Sequence, residues 1–146
     1  PRRYAVEAGK QLNDTWSVNI DGLYDLWVLS NNGYHRHFVG NTLSKNKAEI
    51  RVCYDIANGN VYVDIMNQSA TALTFSITPK AYFDSTKAMQ VMIAAGKEQQ
   101  VHWDLTDSGR WYDFEVTIKE DANWLRRFAG RVETGEHGIT DPAMGL

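Results

Sequence analysis

Apolar and polar residues alternate over short stretches along most of the chain, and this alternation is typical of half-buried β-strands. In the stretch 49–55, Ile50, Val52 and Tyr54 occupy every second position. The same pattern predicts further strands at 4–8, 12–20, 60–66, 73–82 and 99–105. Pro79 has no N–H to donate to a sheet, so we expect an edge or a bulge there.

Two segments are less regular. Residues 84–96 fit either a short helix capped by Thr86 or a strand in which Met89, Val91 and Ile93 alternate with polar residues; the alternation favours the strand. The tail from Thr134 contains three Gly and one Pro, which predicts irregular backbone.

One sequence pattern occurs twice, in residues 22–40 and 108–131. Each copy runs from Gly through Tyr-Asp and a turn to a basic residue and Phe-x-Gly. The first copy has Gly22, Tyr24, Asp25, Leu26, Val28, Arg36, Phe38 and Gly40, and the second has Gly109, Tyr112, Asp113, Phe114, Val116, Arg126, Phe128 and Gly130. The Tyr-to-Phe spacing is 14 residues in one copy and 16 in the other. An even difference keeps each side chain on its face of a hairpin, so we predict two similar hairpins related by an approximate twofold, with Phe38 and Phe128 equivalent.

The turns set the expected register. Asn32-Gly33 suits a two-residue type I′ turn, and Asn58-Gly59 predicts another hairpin. The second copy is expected to turn through a four-residue loop, 120–123. The cross-strand pairs expected from these turns are Trp27–Phe38, Leu26–Val39, Ile118–Leu125 and Phe114–Ala129.

About ten short strands, frequent turns and no convincing long helix predict an all-β fold. We expect an antiparallel β-sandwich, immunoglobulin-like in general architecture, that forms one domain over residues 1–146. A chain of 146 residues, 43% hydrophobic and 12% aromatic, is large enough to bury a core.

The net charge and the cysteine content bear on which ligands and which cross-links this chain can have. The net charge of −3 gives no electrostatic basis for binding nucleic acid or anionic lipid. A single cysteine cannot form an internal disulfide. The chain has no apolar run of membrane-spanning length. It also begins without Met or a signal-like segment, so we expect a piece of a longer protein.

Several motifs together resemble the C-terminal domain of bacterial phosphocholine-preferring phospholipase C, the family of hemolytic and non-hemolytic enzymes. They cover nearly the whole chain. In order they are YAVEAGKQL, YDLWVLSNNGYHRHFVGN, WYDFEVTI, RRFAGRVETG and TDPAM.

The resemblance implies that this is the last of two tandem β-rich modules that follow an N-terminal catalytic domain. The parent enzyme would be secreted, extracellular or periplasmic, and would hydrolyse phosphatidylcholine and sphingomyelin. Expected partners are the catalytic domain of the same polypeptide and a phosphatidylcholine-rich membrane surface. No part of the catalytic domain is recognisable in this chain, so we predict no catalytic residue, cofactor or metal here.

The residues themselves support that expectation. His35 and His37 lie two apart on a predicted strand and could form half of a metal site, but no third ligand is identifiable. His102 and His137 occur in unrelated contexts. No G-x-S-x-G motif is present, and no serine has a recognisable His and acid partner.

Two further sets have both a chemical and a structural interpretation. Asp25 with Arg36, and Asp113 with Arg126, could perform acid–base chemistry, but such pairs more often tie strands together. We expect structural ties. Cys53 is expected to be a small core residue.

The tryptophans carry the remaining functional signal. Trp16, Trp27, Trp103 and Trp111 lie in or beside predicted strands and are expected in the core. Trp124 flanks the polar loop of the second hairpin, beside Leu125. With Arg126 behind it, the pair either rests at a lipid interface or folds back over the sheet edge.

Three functions remain open. The favoured one is an accessory module that gives phospholipase C a scaffold or a membrane-docking surface, through Trp124, Leu125 and Arg126. The alternatives are a glycan-binding sandwich with an exposed aromatic platform and a protein-interaction sandwich.

Overall fold

Nine strands form two antiparallel sheets within residues 1–145, the part of the chain that this computed structural model describes. The strands are β1 (Leu23–Leu29), β2 (His35–Asn41), β3 (Ala48–Asp55), β4 (Asn60–Asn67), β5 (Leu73–Ala81), β6 (Met89–Ile93), β7 (Glu98–Trp103), β8 (Trp111–Ile118) and β9 (Asp121–Arg131). Short 3-10 helices lie at Ser85–Lys87 and Pro142–Gly145. The prediction of an all-β antiparallel sandwich is confirmed.

The larger sheet has the strand order β1-β2-β9-β8-β5-β6, and the smaller has the order β3-β4-β7. This six-plus-three distribution differs from the four-plus-three of a constant-type immunoglobulin domain. Within residues 1–145, no helix has the length and hydropathy needed to cross a membrane.

The core lies between the sheets and follows from the alternation of the central strands. In β4, Val61, Val63 and Ile65 are fully buried, and the residues between them are partly exposed. Facing them, Phe75 and Val116 are also fully buried. Burial of this apolar surface at about 25 cal/mol per Å² is the main favourable contribution to folding.

Most of the strands predicted after residue 48 are present. The Asn58-Gly59 hairpin joins β3 to β4, and β7 lies where alternation predicted it. The predicted irregularity at Pro79 is a register shift between Pro79 and Ala81. The ambiguous segment contains strand β6, preceded by a 3-10 turn capped by Asp84 rather than Thr86. The tail has no strand between residues 134 and 145.

The two strands predicted before Gly22 are wrong. Residues 1–22 contain no strand, and Trp16 and Val18 are 44% and 40% exposed. Apolar alternation gives a strand only where a neighbouring strand supplies hydrogen bonds and an apolar face. The side chains of this segment instead bond within the segment itself. Arg2 Nη1 donates to Asp14 at 2.6 Å, and the Tyr4 hydroxyl donates to the same carboxylate.

The first hairpin has a different register from the predicted one. The N–H of Ser30 bonds the carbonyl of Tyr34 at 3.0 Å, so the loop contains three residues instead of two. Asn32 and Gly33 still have the positive φ values of a tight turn, 54° and 65°. The one-residue change places Trp27 opposite His37 and Leu26 opposite Phe38.

The second hairpin was also predicted in the wrong register. Its chain turns at Lys119-Glu120, and β9 begins at Asp121 inside the expected loop. Pairing then jumps from Ile118–Asp121 to Thr117–Leu125, which leaves residues 122–124 as a bulge. The predicted pair of Phe114 with Ala129 is replaced by Phe114 with Phe128.

The bulge turns Trp124 into the core, where it is 4% exposed and lies edge-on to Phe75 with ring centroids 6.3 Å apart. Of the two alternatives for Trp124, the structure therefore supports the one in which the side chain folds back onto the sheet rather than being exposed at the hairpin tip. Trp103 and Trp111 are buried as predicted. Trp16 and Trp27 are not, since Trp27 is 55% exposed on the outer face of β1.

Alanine substitution should separate the buried from the exposed tryptophans. Trp124→Ala removes a core side chain and should lower the free energy of unfolding by about 3–5 kcal/mol. Trp27→Ala, the matched control, should cost less than about 1 kcal/mol. Urea denaturation followed by circular dichroism measures both values. Equal losses would contradict the assignment of Trp124 to the core.

Candidate functional site

The repeated sequence forms two equivalent hairpins, β1–β2 and β8–β9, that meet where β2 pairs with β9. Tyr24 lies opposite Gly40, and Tyr112 lies opposite Gly130. Across the junction, Arg36 pairs with Phe128 and Phe38 pairs with Arg126. Arg36 is equivalent to Arg126 in the repeat, and Phe38 is equivalent to Phe128, so a twofold rotation that exchanges the two hairpins converts each of these pairs into the other. The predicted twofold relation is confirmed, with Phe38 and Phe128 on one face and ring centroids 6.2 Å apart.

Arg36 is buried at the core side of this junction, with 7% exposure. Its Nη1 donates to the carbonyl of Ala129 at 2.7 Å, and its Nη2 donates to the hydroxyls of Tyr54 and Tyr112 at 2.7 and 3.0 Å. Burial raises the pKa of Tyr112 well above its ordinary value, so this phenol stays neutral. The guanidinium is thus held by carbonyls, phenol hydroxyls and aromatic faces.

Arg126 repeats the arrangement in the other copy. Its Nη1 donates to the carbonyl of Val39 at 2.6 Å, and its Nη2 donates to the hydroxyl of Tyr24 at 2.6 Å. A Cβ added at Gly40 would overlap that hydroxyl, which explains the glycine of the Phe-x-Gly pattern. The repeated residues form a structural network.

The predicted pairing of Asp25 with Arg36 and of Asp113 with Arg126 is wrong. The two carboxylates lie on the outer face of the sheet, whereas both guanidiniums lie on the core face, because odd and even positions of a strand face opposite ways. Asp113 instead makes two bonds to Arg127, at 2.8 and 2.6 Å. A structural tie between strands is present, but with the neighbouring arginine.

The equivalent carboxylate in the first hairpin, Asp25, binds His37 Nε2 at 2.6 Å and accepts the indole N–H of Trp27 at 2.9 Å. Trp27 stacks over both histidines of β2, with ring centroids 4.0 Å from His37 and 4.8 Å from His35. Trp27 itself remains 55% exposed. The three rings form the only aromatic stack in residues 1–145 that joins a tryptophan to histidines.

His35 lies under Trp27, and its Nε2 is buried without a hydrogen-bond partner. Burial lowers the pKa of His35, and the positive charge of Arg127 lowers it further. This imidazole is therefore neutral and structural near pH 7.

The described residues, 1–145, contain no group of three His, Cys, Asp or Glu side chains placed to hold a metal ion. His102 stacks on Tyr62, far along the chain from His35 and His37. Cys53 is half-buried on the outer face of β3, where its Sγ lies 3.7 Å from Asp64. Burial raises the pKa of the Cys53 thiol, and Asp64 raises it further. The expectation of a core position for Cys53 is wrong because its strand position faces outward.

A cleft of about 390 Å³ lies where the β3–β4 turn, the loop before β8 and the tail meet. Arg110, Arg131 and His137 line it. Arg131 is already paired with Glu133 at 2.7 Å. The cleft brings His137 near two arginines but near none of the other histidines.

Leu125 and Arg126, predicted with Trp124 at a lipid interface, are half-buried in β9. Arg126 lies over the indole of Trp124 at 4.5 Å, on the core side. Lipid contact through Trp124 would require the indole to leave the core.

Comparison with known proteins assigns the family. The family model described as bacterial phospholipase C, C-terminal domain, matches residues 1–41 and 48–131. The chain belongs to this family. The phospholipase C resemblance in its motifs is therefore confirmed.

Three relatives show how this phospholipase C domain relates to longer proteins. Over its whole length it is 36% identical to the non-hemolytic phospholipase C of Pseudomonas aeruginosa, and over 99% it is 38% identical to that of Burkholderia pseudomallei. It is also 32% identical, over 96% of its length, to the hemolytic phospholipase C of Pseudomonas aeruginosa. The domain spans 20–22% of the length of these relatives.

Sequence patterns did not indicate the exposed surface of the phospholipase C domain at Trp27. The usable signal was the composition of β1, LYDLWVL, in which apolar residues occupy both faces. A strand that is apolar on both faces is either central or covered by a partner. In this structure β1 is an edge strand.

Removing one phenol should show how much the buried guanidinium depends on it. Tyr112→Phe leaves Arg36 without one acceptor and should destabilise the domain by about 1–3 kcal/mol. Tyr62→Phe removes an exposed hydroxyl that accepts from Asn58 and serves as the control, with a change within about 0.5 kcal/mol. Urea midpoints at constant m-value report the difference. Identical midpoints for the two variants would show that the carbonyls and the Tyr54 hydroxyl satisfy Arg36 without Tyr112.

Stability should also depend on His35 in mildly acidic solution. The folded state resists protonation of His35, whereas the unfolded chain takes up the proton near its ordinary pKa of about 6.5. The stabilisation is present above that pH and is lost as the pH falls toward the lower folded-state pKa. Between pH 8 and 5, His35→Gln should flatten the decline in the free energy of unfolding. Equal slopes for wild type and His35→Gln would refute the assignment.

Proposed function

We propose that this domain is a non-catalytic accessory module of a secreted phospholipase C that hydrolyses phosphatidylcholine and sphingomyelin. In this proposal it is the last of two tandem modules and acts as a scaffold for the catalytic domain of the same polypeptide. The observation that carries the proposal is coverage: the whole chain aligns to only 22% of the non-hemolytic relative from Pseudomonas aeruginosa. About four-fifths of that enzyme lies outside the matched part, and we place the catalytic residues there.

The two carboxylates of the repeated pattern make hydrogen bonds within the fold, which supports a structural role. Asp113 is held by Arg127, and Asp25 is held by His37 and Trp27. A general base needs a free lone pair within reach of a substrate proton. Neither carboxylate lines the cleft beside Arg110, Arg131 and His137.

A scaffold role is favoured over membrane docking by the position of the predicted lipid contact. Trp124 packs in the core, and the net charge of −3 provides no attraction to anionic lipid.

The activity of the separate domain tests the proposal. The purified 146-residue chain should not hydrolyse phosphatidylcholine, sphingomyelin or a chromogenic phosphocholine ester above the buffer rate. In the full-length enzyme, Asp25→Asn and His37→Ala should leave kcat/KM unchanged, because these residues lie outside the reacting centre.

Turnover that survives repurification of the separate domain, and that is lost in Asp25→Asn or His37→Ala, would refute the non-catalytic role. Turnover unaffected by either variant and removed by further purification would identify a contaminant. Assays with and without added divalent cations cover both metal-dependent and metal-independent hydrolysis.

A further inference from the structure

The free edge of β1 lacks the features that protect edge strands from pairing. Natural edges are shortened, bulged, or occupied by Lys or Pro. β1 has seven residues, pairs with β2 in unbroken register and contains neither Lys nor Pro. Its one charged residue, Asp25, is bound by its neighbours in the sheet.

The other edges of the two sheets differ from β1. β6, at the far edge of the larger sheet, is only five residues long. In the smaller sheet, β3 carries Glu49, Arg51 and Asp55, and β7 carries Glu98, Gln100 and His102. Of the two edge strands of the larger sheet, β1 therefore has the longer unbroken pairing with its neighbour. It also has the least polar sequence of the edge strands described.

The hydrogen bonds at both ends of the hairpin fix which amides of β1 point outward. Ser30 N–H bonds Tyr34, and the N–H of Thr42 bonds the carbonyl of Gly22 at 2.9 Å, so even-numbered residues form the bonded pairs. The odd-numbered residues direct their N–H and C=O groups away from β2. They are Leu23, Asp25, Trp27 and Leu29.

Apolar side chains surround this open edge. On the outer face Trp27 is 55% and Leu29 is 71% exposed, and on the opposite face Val28 is 47% exposed. Such a strand combines a row of free backbone donors and acceptors with apolar surface on both sides. Pairing with another strand would satisfy both at once.

The chain leading into β1 is exposed as well. Residues 1–22 form no strand, and Ile20 is 94% exposed. Yet the family model includes these residues, since its first match covers 1–41. This segment is therefore a regular part of the family, and it leads directly into β1.

We propose that the β1 edge pairs with a β-strand from the rest of the phospholipase C polypeptide, which buries Trp27 and Leu29. The occupant is assigned by length, because the domain is only 20–22% of its relatives and the larger part of each lies outside it. This contact would place the domain on its parent enzyme, so the inference rests on the proposed accessory role.

Hydrogen exchange of the full-length enzyme tests this contact. In the separate domain, the four outward amides of Leu23, Asp25, Trp27 and Leu29 should exchange quickly, while those bonded to β2 exchange slowly. In the full-length enzyme the outward amides should slow by at least about tenfold, as expected for amides that enter a sheet. Mass spectrometry with fragmentation of the β1 peptide resolves the two sets.

Two lysine variants of the full-length enzyme provide the matched comparison. Leu29→Lys places a charge on the proposed contact and should restore fast exchange at the outward amides. Met92→Lys, on the opposite edge strand and 74% exposed in this structure, should retain the slow exchange. Both positions are exposed, so neither change removes a core side chain.

Fast exchange of the outward amides in the full-length enzyme would overturn the proposal. So would slowing that occurs only when phosphatidylcholine vesicles are added, which would assign the edge to a membrane. Slowing in the separate domain that increases with its concentration would assign it to a second copy. These outcomes are independent of the hydrolysis assay, which tests the accessory role by itself.

Discussion

The buried guanidinium of Arg36 is the interaction that the larger sheet and its connection to the smaller sheet depend on. A single side chain on β2 bonds the carbonyl of Ala129 on β9, the phenol of Tyr112 on β8 and the phenol of Tyr54 on β3. It therefore links three strands of one sheet with a strand of the other. Burying this charge is costly without partners, and the constraint fixes the positions of the phenols around it.

The equivalent arginine–tyrosine contacts of the two hairpins lie in different surroundings. In the second copy, Tyr112 is 1% exposed and bonds Tyr54 of the facing sheet at 2.6 Å. In the first copy, Tyr24 sits on the edge strand and is only partly buried. The same residues thus support the centre of the sandwich in one copy and its margin in the other. What surrounds each copy, rather than its own pattern, determines whether its outer surface is covered.

Local patterns predicted the sandwich, the repeat and most strands after residue 48, because those depend on alternation and turn residues. The same patterns predicted the wrong strand register where a difference of one residue in the turn decides the pairing. The bond from Ser30 to Tyr34 shifts the first hairpin by one position, and the bulge at 122–124 turns Trp124 inward. Residues 4–20 alternate like strands but have no sheet to join in this structure. Of the residues proposed for a site, the sequence paired the histidines of β2 correctly on one face but did not show that Trp27 covers them.

The twofold relation at the β2–β9 junction also bears on how the domain is built. Phe38 contacts Arg126 across it as Phe128 contacts Arg36, so the surface is self-complementary in the way an isologous dimer interface is. Here both halves belong to one chain, and their association carries no loss of translational freedom. The junction is equivalent to a homodimer made permanent by covalent linkage. Substitutions within it need not be symmetric, which has allowed His37 in one half to correspond to Arg127 in the other.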